Sequence, residues 1–172
     1  MEKYQVKSLG NEPFELIKEH KVLATLNYPS LYNTLKAEIK IANQSDVLVL
    51  KSPGIWKKNL ELWNSTQCLL SSKLGWNLSV TIRIQETDYQ LKVKSLLDGI
   101  FILQDTNENV LVKIDASMDW AYAKADFGIE IFDKTELFTP EVLLFLIHNC
   151  NYFLALSGNG SATEGMLAAM VA

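Results

Sequence analysis

Polar and apolar residues alternate along most of the chain up to about residue 133, which is the pattern of β-strands buried on one face. In SVTIRIQ (79–85) every second residue is Val or Ile, and DYQLKVK (88–94) and VLVKID (110–115) show the same period. Each such segment predicts one covered face and one wet face. About twelve strands follow from this alternation and from the turn signals. They lie near 4–8, 14–18, 21–27, 34–42, 46–51, 55–62, 67–71, 78–85, 88–95, 99–104, 110–116 and 120–133, the last being one strand bent at Gly128 or two strands.

Turn-forming residues punctuate the alternation at short intervals. Asp98 and Gly99 lie between two β-rich segments, which is a strong hairpin signal, and DTNEN (105–109) indicates a longer hairpin loop. Strands repeated every 8–12 residues or so are typical of a sandwich or a barrel. We therefore expect a mainly β protein in which residues 1–172 form a single domain.

The segment TPEVLLFLIHNCNYFLALSG (139–158) breaks this pattern and predicts one apolar helix over about 140–157. Thr139 is suited to the N-cap, Pro140 to the first helical position, and Glu141 to the positive end of the helix dipole. Gly158 follows the last apolar residue, where a left-handed residue commonly ends a helix. The predicted helix is about 27 Å long.

This helix is apolar in nearly every direction, which is typical of a buried helix. A membrane span is disfavoured because His148, Asn149 and Asn151 would place three polar side chains at mid-bilayer, and because Lys and Arg do not flank the segment. Among many strands, the place to bury such a helix is inside the sheet. An eight-stranded barrel is filled by its own side chains, so we expect a closed antiparallel barrel of about twelve strands enclosing the helix.

The succession of hairpin, further strand pair and apolar helix between Tyr89 and Leu156 resembles the tubby C-terminal-like superfamily, which includes the LURP-one-related proteins and the phospholipid scramblases. The resemblance implies a twelve-stranded barrel around a C-terminal helix. It covers this half of the chain, whereas residues 1–88 contribute only strands. Tubby proteins bind a phosphoinositide headgroup through basic residues, but no local motif transfers those positions to this chain.

The net charge of −4 and the single arginine, Arg83, among sixteen basic residues argue against nucleic acid as a partner. Cys68 and Cys150 both lie in apolar surroundings and are expected to be buried, reduced thiols. The N-terminal residues lack the apolar run of a secretory signal, so the expected location is cytoplasmic, including a peripheral position at a membrane.

Candidate chemistry is sparse. His148 is expected to be either a hydrogen-bonded core histidine or part of a buried polar cluster with Asn151 and Asn149 that binds a small ligand. His20 is expected at the surface. No metal-ligand spacing, glycine-rich phosphate loop or nucleophile motif accompanies these residues, so we expect no cofactor and no enzyme.

Two surface candidates remain. Trp56, Lys57 and Lys58 form the one basic–aromatic cluster, which fits either a lipid or partner surface or an ordinary solvated edge strand. The C-terminal tail, 159–172, predicts a short helix that either covers a barrel mouth or contacts a protein partner or a membrane surface. The functional expectation is a non-enzymatic binding or adaptor module for a lipid headgroup, a membrane surface or a protein. The alternative is a barrel that binds a small ligand near the central helix.

Overall fold

The computed structural model describes residues 1–8, 13–29, 36–53, 59–75, 79–95, 98–119 and 124–158. These residues form twelve strands, a short 3-10 helix at Thr135–Leu137 and one α-helix, α1, at Pro140–Gly158. The strands are β1 Glu2–Lys7, β2 Phe14–Lys18, β3 Lys21–Asn27, β4 Ala37–Ile41, β5 Val47–Lys51, β6 Asn59–Trp63, β7 Cys68–Leu74, β8 Ser79–Ile84, β9 Thr87–Ser95, β10 Ile100–Gln104, β11 Val110–Asp119 and β12 Lys124–Ile131.

The strands close into an antiparallel barrel in which each strand pairs with its neighbours in the sequence, and β1 pairs with β12 to complete the ring. At the seam, Tyr4 lies opposite Ile129, and Gln5 lies opposite Gly128. The predicted mainly β, twelve-stranded closed barrel is therefore confirmed. The last predicted segment, 120–133, was either one strand bent at Gly128 or two strands. In the structure, residues 124–131 form one strand that contains Gly128 and pairs with β11.

The helix α1 lies inside the barrel. Its residues from Val142 to Leu154 are buried, except that Asn151 is only half-buried. The helix backbone comes nearest to β3 and β4, which turn Ala24 and Ala37 towards the interior. Small side chains there allow the close approach, while the other strands contribute mostly Leu, Ile and Phe to the core.

The two ends of the barrel differ. At one end, here called the turn end, strands are joined by short turns such as Glu19–His20 and Gln85–Glu86, whose residues all have positive φ angles. The other end is called the loop end. There, residues 8–13 connect β1 to β2, residues 28–36 connect β3 to β4, and residues 52–58 connect β5 to β6. The helix runs from the turn end towards the loop end, because Phe153 near its C-terminus packs against Phe101 near the start of β10, with ring centroids 6.3 Å apart.

The start of the helix differs from the prediction in one detail. The Thr139 carbonyl accepts the first helical hydrogen bond, from the Leu143 N–H at 3.0 Å, so Thr139 occupies the N-cap position. Its hydroxyl, however, has no hydrogen-bond partner in the described part of the chain. Within those residues, no helix has the length and apolar character needed to cross a bilayer.

Burial of the helix predicts a large difference between two phenylalanines. Phe145 on α1 is fully buried, whereas Phe132 after β12 is 45% exposed. Phe145→Ala should lower the free energy of unfolding by about 3–5 kcal/mol through cavity formation. The same change at Phe132 should cost less than about 1 kcal/mol. Urea denaturation of both variants checks this, and equal losses would contradict an interior position for α1.

A second matched pair tests the β9–β10 hairpin. Gly99 has a φ of 65°, and a Cβ there would lie 2.5 Å from the Ala116 carbonyl oxygen, whereas a Cβ at Gly128 would meet nothing within 4 Å. Gly99→Ala should therefore destabilise the protein by at least about 1 kcal/mol, while Gly128→Ala should be neutral or slightly stabilising. Thermal unfolding measures both, and a tolerated alanine at 99 would refute the hairpin geometry.

Candidate functional site

The three polar residues predicted on the helix are directed to two different places. His148 and Asn151 meet at Tyr28, which follows β3 at the loop end. Asn149 instead contacts Ser72 on β7. His148 and Asn149 are buried as predicted and Asn151 is half-buried, but the structure divides the three, and their ligand-binding role stays a prediction.

Tyr28 holds the His148 side chain. The Tyr28 hydroxyl lies 2.9 Å from His148 Nδ1, and the two rings stack with centroids 5.6 Å apart. Asn151 Nδ2 donates to the same hydroxyl at 3.3 Å. Sequence reasoning missed Tyr28 because NYPS (27–30) indicates only a turn, and because the contact spans 120 positions of the chain. An aromatic residue beside a turn proline is too common a feature to identify this partner.

The hydrogen bonds favour one tautomer of the imidazole. The Tyr28 hydroxyl accepts from Asn151, and among the described residues His148 Nδ1 is the one acceptor within reach of its own proton. A neutral imidazole that accepts at Nδ1 carries its proton on Nε2. His148 Nε2 has no hydrogen-bond partner among the described residues, although the side chain is fully buried. In this tautomer the His148 Nε2–H is a buried donor without a partner in the described part of the chain.

Burial determines the charge of this cluster. Desolvation lowers the pKa of His148 from 6.5 to about 4, so the imidazole is neutral at pH 7. Desolvation also raises the pKa of the Tyr28 hydroxyl well above its usual value. Both groups therefore stay uncharged across the physiological range.

Asn149 has a partner for each of its polar atoms. Ser72 Oγ donates to Asn149 Oδ1 at 2.8 Å, and Asn149 Nδ2 donates to the Phe145 carbonyl at 2.8 Å. Both side chains are buried. This bond ties α1 to β7, and it is the kind of contact that sets the depth and rotation of a helix. The sequence signal for this contact is Ser72, a polar residue at an inward-facing position between Leu70 and Leu74.

The cysteines differ from the prediction in one respect. Both are free, and Cys150 is buried as expected, but Cys68 is exposed. The cause is an irregularity in β6–β7 pairing: Leu62 lies opposite Leu70 while Trp63 lies opposite Cys68, so one extra residue of β7 reverses the alternation. His20 is exposed, as predicted. Within the described residues, no group of three or more His, Cys, Asp or Glu side chains is placed to hold a metal ion.

The surface candidates Trp56, Lys57 and Lys58 lie outside the described residues, as does the tail 159–172. The strands on either side of the first group are described. β5 ends at Lys51 and β6 begins at Asn59, both at the loop end. The last described helical turns, which carry His148 and Asn151, are directed to that end as well.

The neutral state of His148 predicts a specific pH dependence. An unfolded histidine takes up a proton near pH 6.5, whereas the folded protein resists protonation until about pH 4, so stability falls as the pH is lowered through this window. Between pH 7 and pH 5 this one group should remove about 2 kcal/mol from the free energy of unfolding. Urea titrations at the two pH values measure the loss.

The variant His148→Gln should lack this part of the pH dependence, whatever its absolute stability. His20→Asn is the matched control, because His20 is exposed and its φ of 65° suits asparagine. The control should show the same loss as the unmodified protein. Parallel curves for His148→Gln and the unmodified protein would show that His148 is not held neutral.

Comparison with known proteins adds information on the fold. No protein-family model matches the chain, and no curated protein is detectably similar to it in sequence. Among solved structures, the barrel is similar to an X-ray structure of a protein from Arabidopsis thaliana, with a TM-score of 0.59. The two chains are 10% identical, and the match covers 88% of this chain and 91% of the other. At this identity the likeness shows a shared barrel fold and transfers neither ligand nor activity.

Proposed function

We propose that this protein is a non-enzymatic binding module of the tubby-like superfamily, close in type to the LURP-one-related proteins. In this proposal it works in the cytoplasm and uses the loop end of its barrel to engage a lipid headgroup at a membrane surface. The closed barrel with an enclosed C-terminal helix supports the family assignment. The observation that carries the proposed function is the difference between the two ends of the barrel.

Binding residues in β-proteins are concentrated in connections that a rigid scaffold positions. The hairpin connections at the turn end are two to five residues long, and the one longer segment there, 132–139, leads into the buried helix. The loop end carries the longer connections, including the one that contains Trp56, Lys57 and Lys58. An indole ring beside two ammonium groups is suited to the headgroup region of an anionic membrane.

The charges of the barrel wall support the same choice. On the outer face, Lys3 pairs with Glu130 at 2.8 Å, and Lys113 pairs with Asp115 at 2.9 Å. Arg83, the one arginine, is bound to Asp88 at 2.8 Å. Basic side chains that already have an acidic partner attract an anionic surface less strongly. The proposal rests on the two lysines of the β5–β6 connection because they stand beside a tryptophan in the sequence.

The non-enzymatic assignment rests on the chemistry of the interior. An active nucleophile or base needs a pKa moved towards neutrality. Desolvation instead raises the pKa of the Cys150 thiol well above its usual value, and raises that of Tyr28 as well. His148 is held as a neutral base of low basicity. These three buried groups are therefore weak acids and bases at neutral pH, which favours binding over catalysis.

A second candidate function is favoured by one observation. His148 Nε2 is a buried donor without a partner in the described chain, and such groups are rare unless something else satisfies them. A small molecule bound beside α1 would do so. This candidate concerns the interior of the barrel, so it is compatible with membrane attachment through the loop end.

Vesicle flotation tests the proposed membrane contact. The full chain is mixed with phosphatidylcholine vesicles that contain or lack phosphatidylserine and a phosphoinositide. The protein should float with the anionic vesicles, and Lys57→Glu/Lys58→Glu should reduce the bound fraction at least about tenfold, because two attractive charges become repulsive.

The matched control is Lys21→Glu/Lys40→Glu, which makes the same change of charge with two exposed lysines towards the turn end. It should leave flotation nearly unchanged. Equal losses of the bound fraction in both variants would show that binding depends on net charge and not on the position of these lysines. If the unmodified protein binds no vesicle, the lipid surface is excluded, and a protein partner becomes the remaining version of the adaptor hypothesis.

A further inference from the structure

The unpartnered donor of His148 limits what can occupy the space beside it. A buried N–H without an acceptor costs about 1–3 kcal/mol, so an acceptor at Nε2 stabilises the folded protein. The Tyr28 hydroxyl is already engaged at Nδ1, and no described polar atom bonds Nε2. An acceptor for Nε2 therefore lies outside the described residues.

A single water molecule is the simplest acceptor, but it suits this position poorly. Buried waters typically make about three hydrogen bonds to otherwise unsatisfied polar groups. In the described chain, the other buried side-chain atom without a partner is Thr139 Oγ1, at the far end of the helix. A water at Nε2 would thus find one donor and few further partners. An acceptor attached to an apolar body has no such requirement.

The surroundings of His148 are apolar and aromatic. Its ring stacks on Tyr28, which makes an edge contact with Phe14 at 6.0 Å, and Phe14 lies 6.4 Å from Phe127. Phe14 begins β2, and Tyr28 follows β3, so this series of rings extends from His148 to the loop end. An apolar molecule that enters from the loop end would contact hydrophobic side chains along the whole path.

The electrostatic surroundings of His148 within the described part of the chain define the ligand further. The depressed pKa of His148 has burial as its one cause, with no contribution from a nearby acid or base. An anionic acceptor would have to give up its hydration without a permanent cation to replace it, which costs several kcal/mol. A neutral acceptor avoids this cost.

We propose that the barrel binds an uncharged, mainly apolar molecule whose carbonyl oxygen accepts the Nε2 proton of His148. Esters and ketones with a hydrocarbon chain form the matching chemical class. Tyr28 and Asn151 are positioning residues, because they direct the proton to Nε2 without contacting the acceptor. This inference rests on the second candidate function and assigns the ligand class and the recognising atom.

Three probes of matched chain length separate the features of the ligand. Methyl laurate has a neutral carbonyl, laurate has a carboxylate, and dodecane has no acceptor. Long-range proton–nitrogen spectra of the full, nitrogen-15-labelled chain report the imidazole tautomer and the hydrogen bonding of Nε2. Methyl laurate should bind and move the His148 Nε2–H resonance, whereas dodecane should leave it in place. Laurate should bind at least about tenfold more weakly than its methyl ester.

Variants locate the effect at one atom. His148→Phe keeps a planar ring and should weaken methyl laurate binding about fivefold to tenfold, the value of one hydrogen bond, while dodecane binding stays within about twofold. Tyr28→Phe covers the case in which His148→Phe does not fold. It removes the hydroxyl at Nδ1 and should mix the two tautomers in the spectrum, with a smaller loss of ester affinity. His20→Asn, at the exposed histidine, should match the unmodified protein.

The outcomes distinguish the inference from the function beneath it. If none of the three probes binds, and the Nε2–H resonance is unchanged by all of them, then the donor holds a buried water only, and both the inference and the second candidate function fail. If ester and alkane bind equally, or His148→Phe leaves the ester preference intact, the barrel binds apolar ligands but His148 does not select them. Stronger binding of laurate would overturn the uncharged class.

Discussion

Burial of one helix inside a closed sheet is the constraint on which the rest of the structure depends. A twelve-stranded ring is too wide for its own inward side chains to fill, so the interior needs another element. The helix α1 is that element, and its surface is mostly apolar because the sheet surrounds it. Neither part is stable alone: the empty barrel would enclose a void, and the free helix would expose Phe145 and its neighbours to water.

An apolar helix in an apolar tube has no preferred rotation or depth, and the buried polar contacts resolve this ambiguity. Asn149 bonds Ser72 on one side of the barrel, and His148 with Asn151 bonds Tyr28 beyond β3. Each bond is directional and costly to break in a dry interior, so only one orientation of α1 satisfies all of them. The need to fix the position of α1 accounts fully for Asn149, since each of its polar atoms has a partner. It does not explain Nε2 of His148, which has no partner among the described residues.

The fold was largely predictable from the sequence because its signals are local. A period of two residues marks most strands, and the mainly apolar segment at 139–158 predicts a helix that needs complete enclosure. The errors arose where contacts are distant or registers shift. Tyr28 and Ser72 are far from the helix in sequence, so alternation alone does not identify them as its partners. Cys68 was misplaced because the extra residue in β7 reverses the faces, and a β-bulge leaves no clear sequence signal.

The direction of the helix connects the interior with the surface. Because α1 begins at the turn end and runs towards the loop end, His148 and Asn151 reach Tyr28 in the connection that follows β3. Tyr28 thus belongs both to this connection and to the His148 cluster. A partner that moves the β3–β4 connection would therefore disturb the hydrogen bond at Nδ1, and a ligand at Nε2 would in turn stabilise the position of Tyr28. By thermodynamic linkage, any such coupling must act equally in both directions. Membrane attachment and interior binding would then be two linked properties of the same end of the barrel.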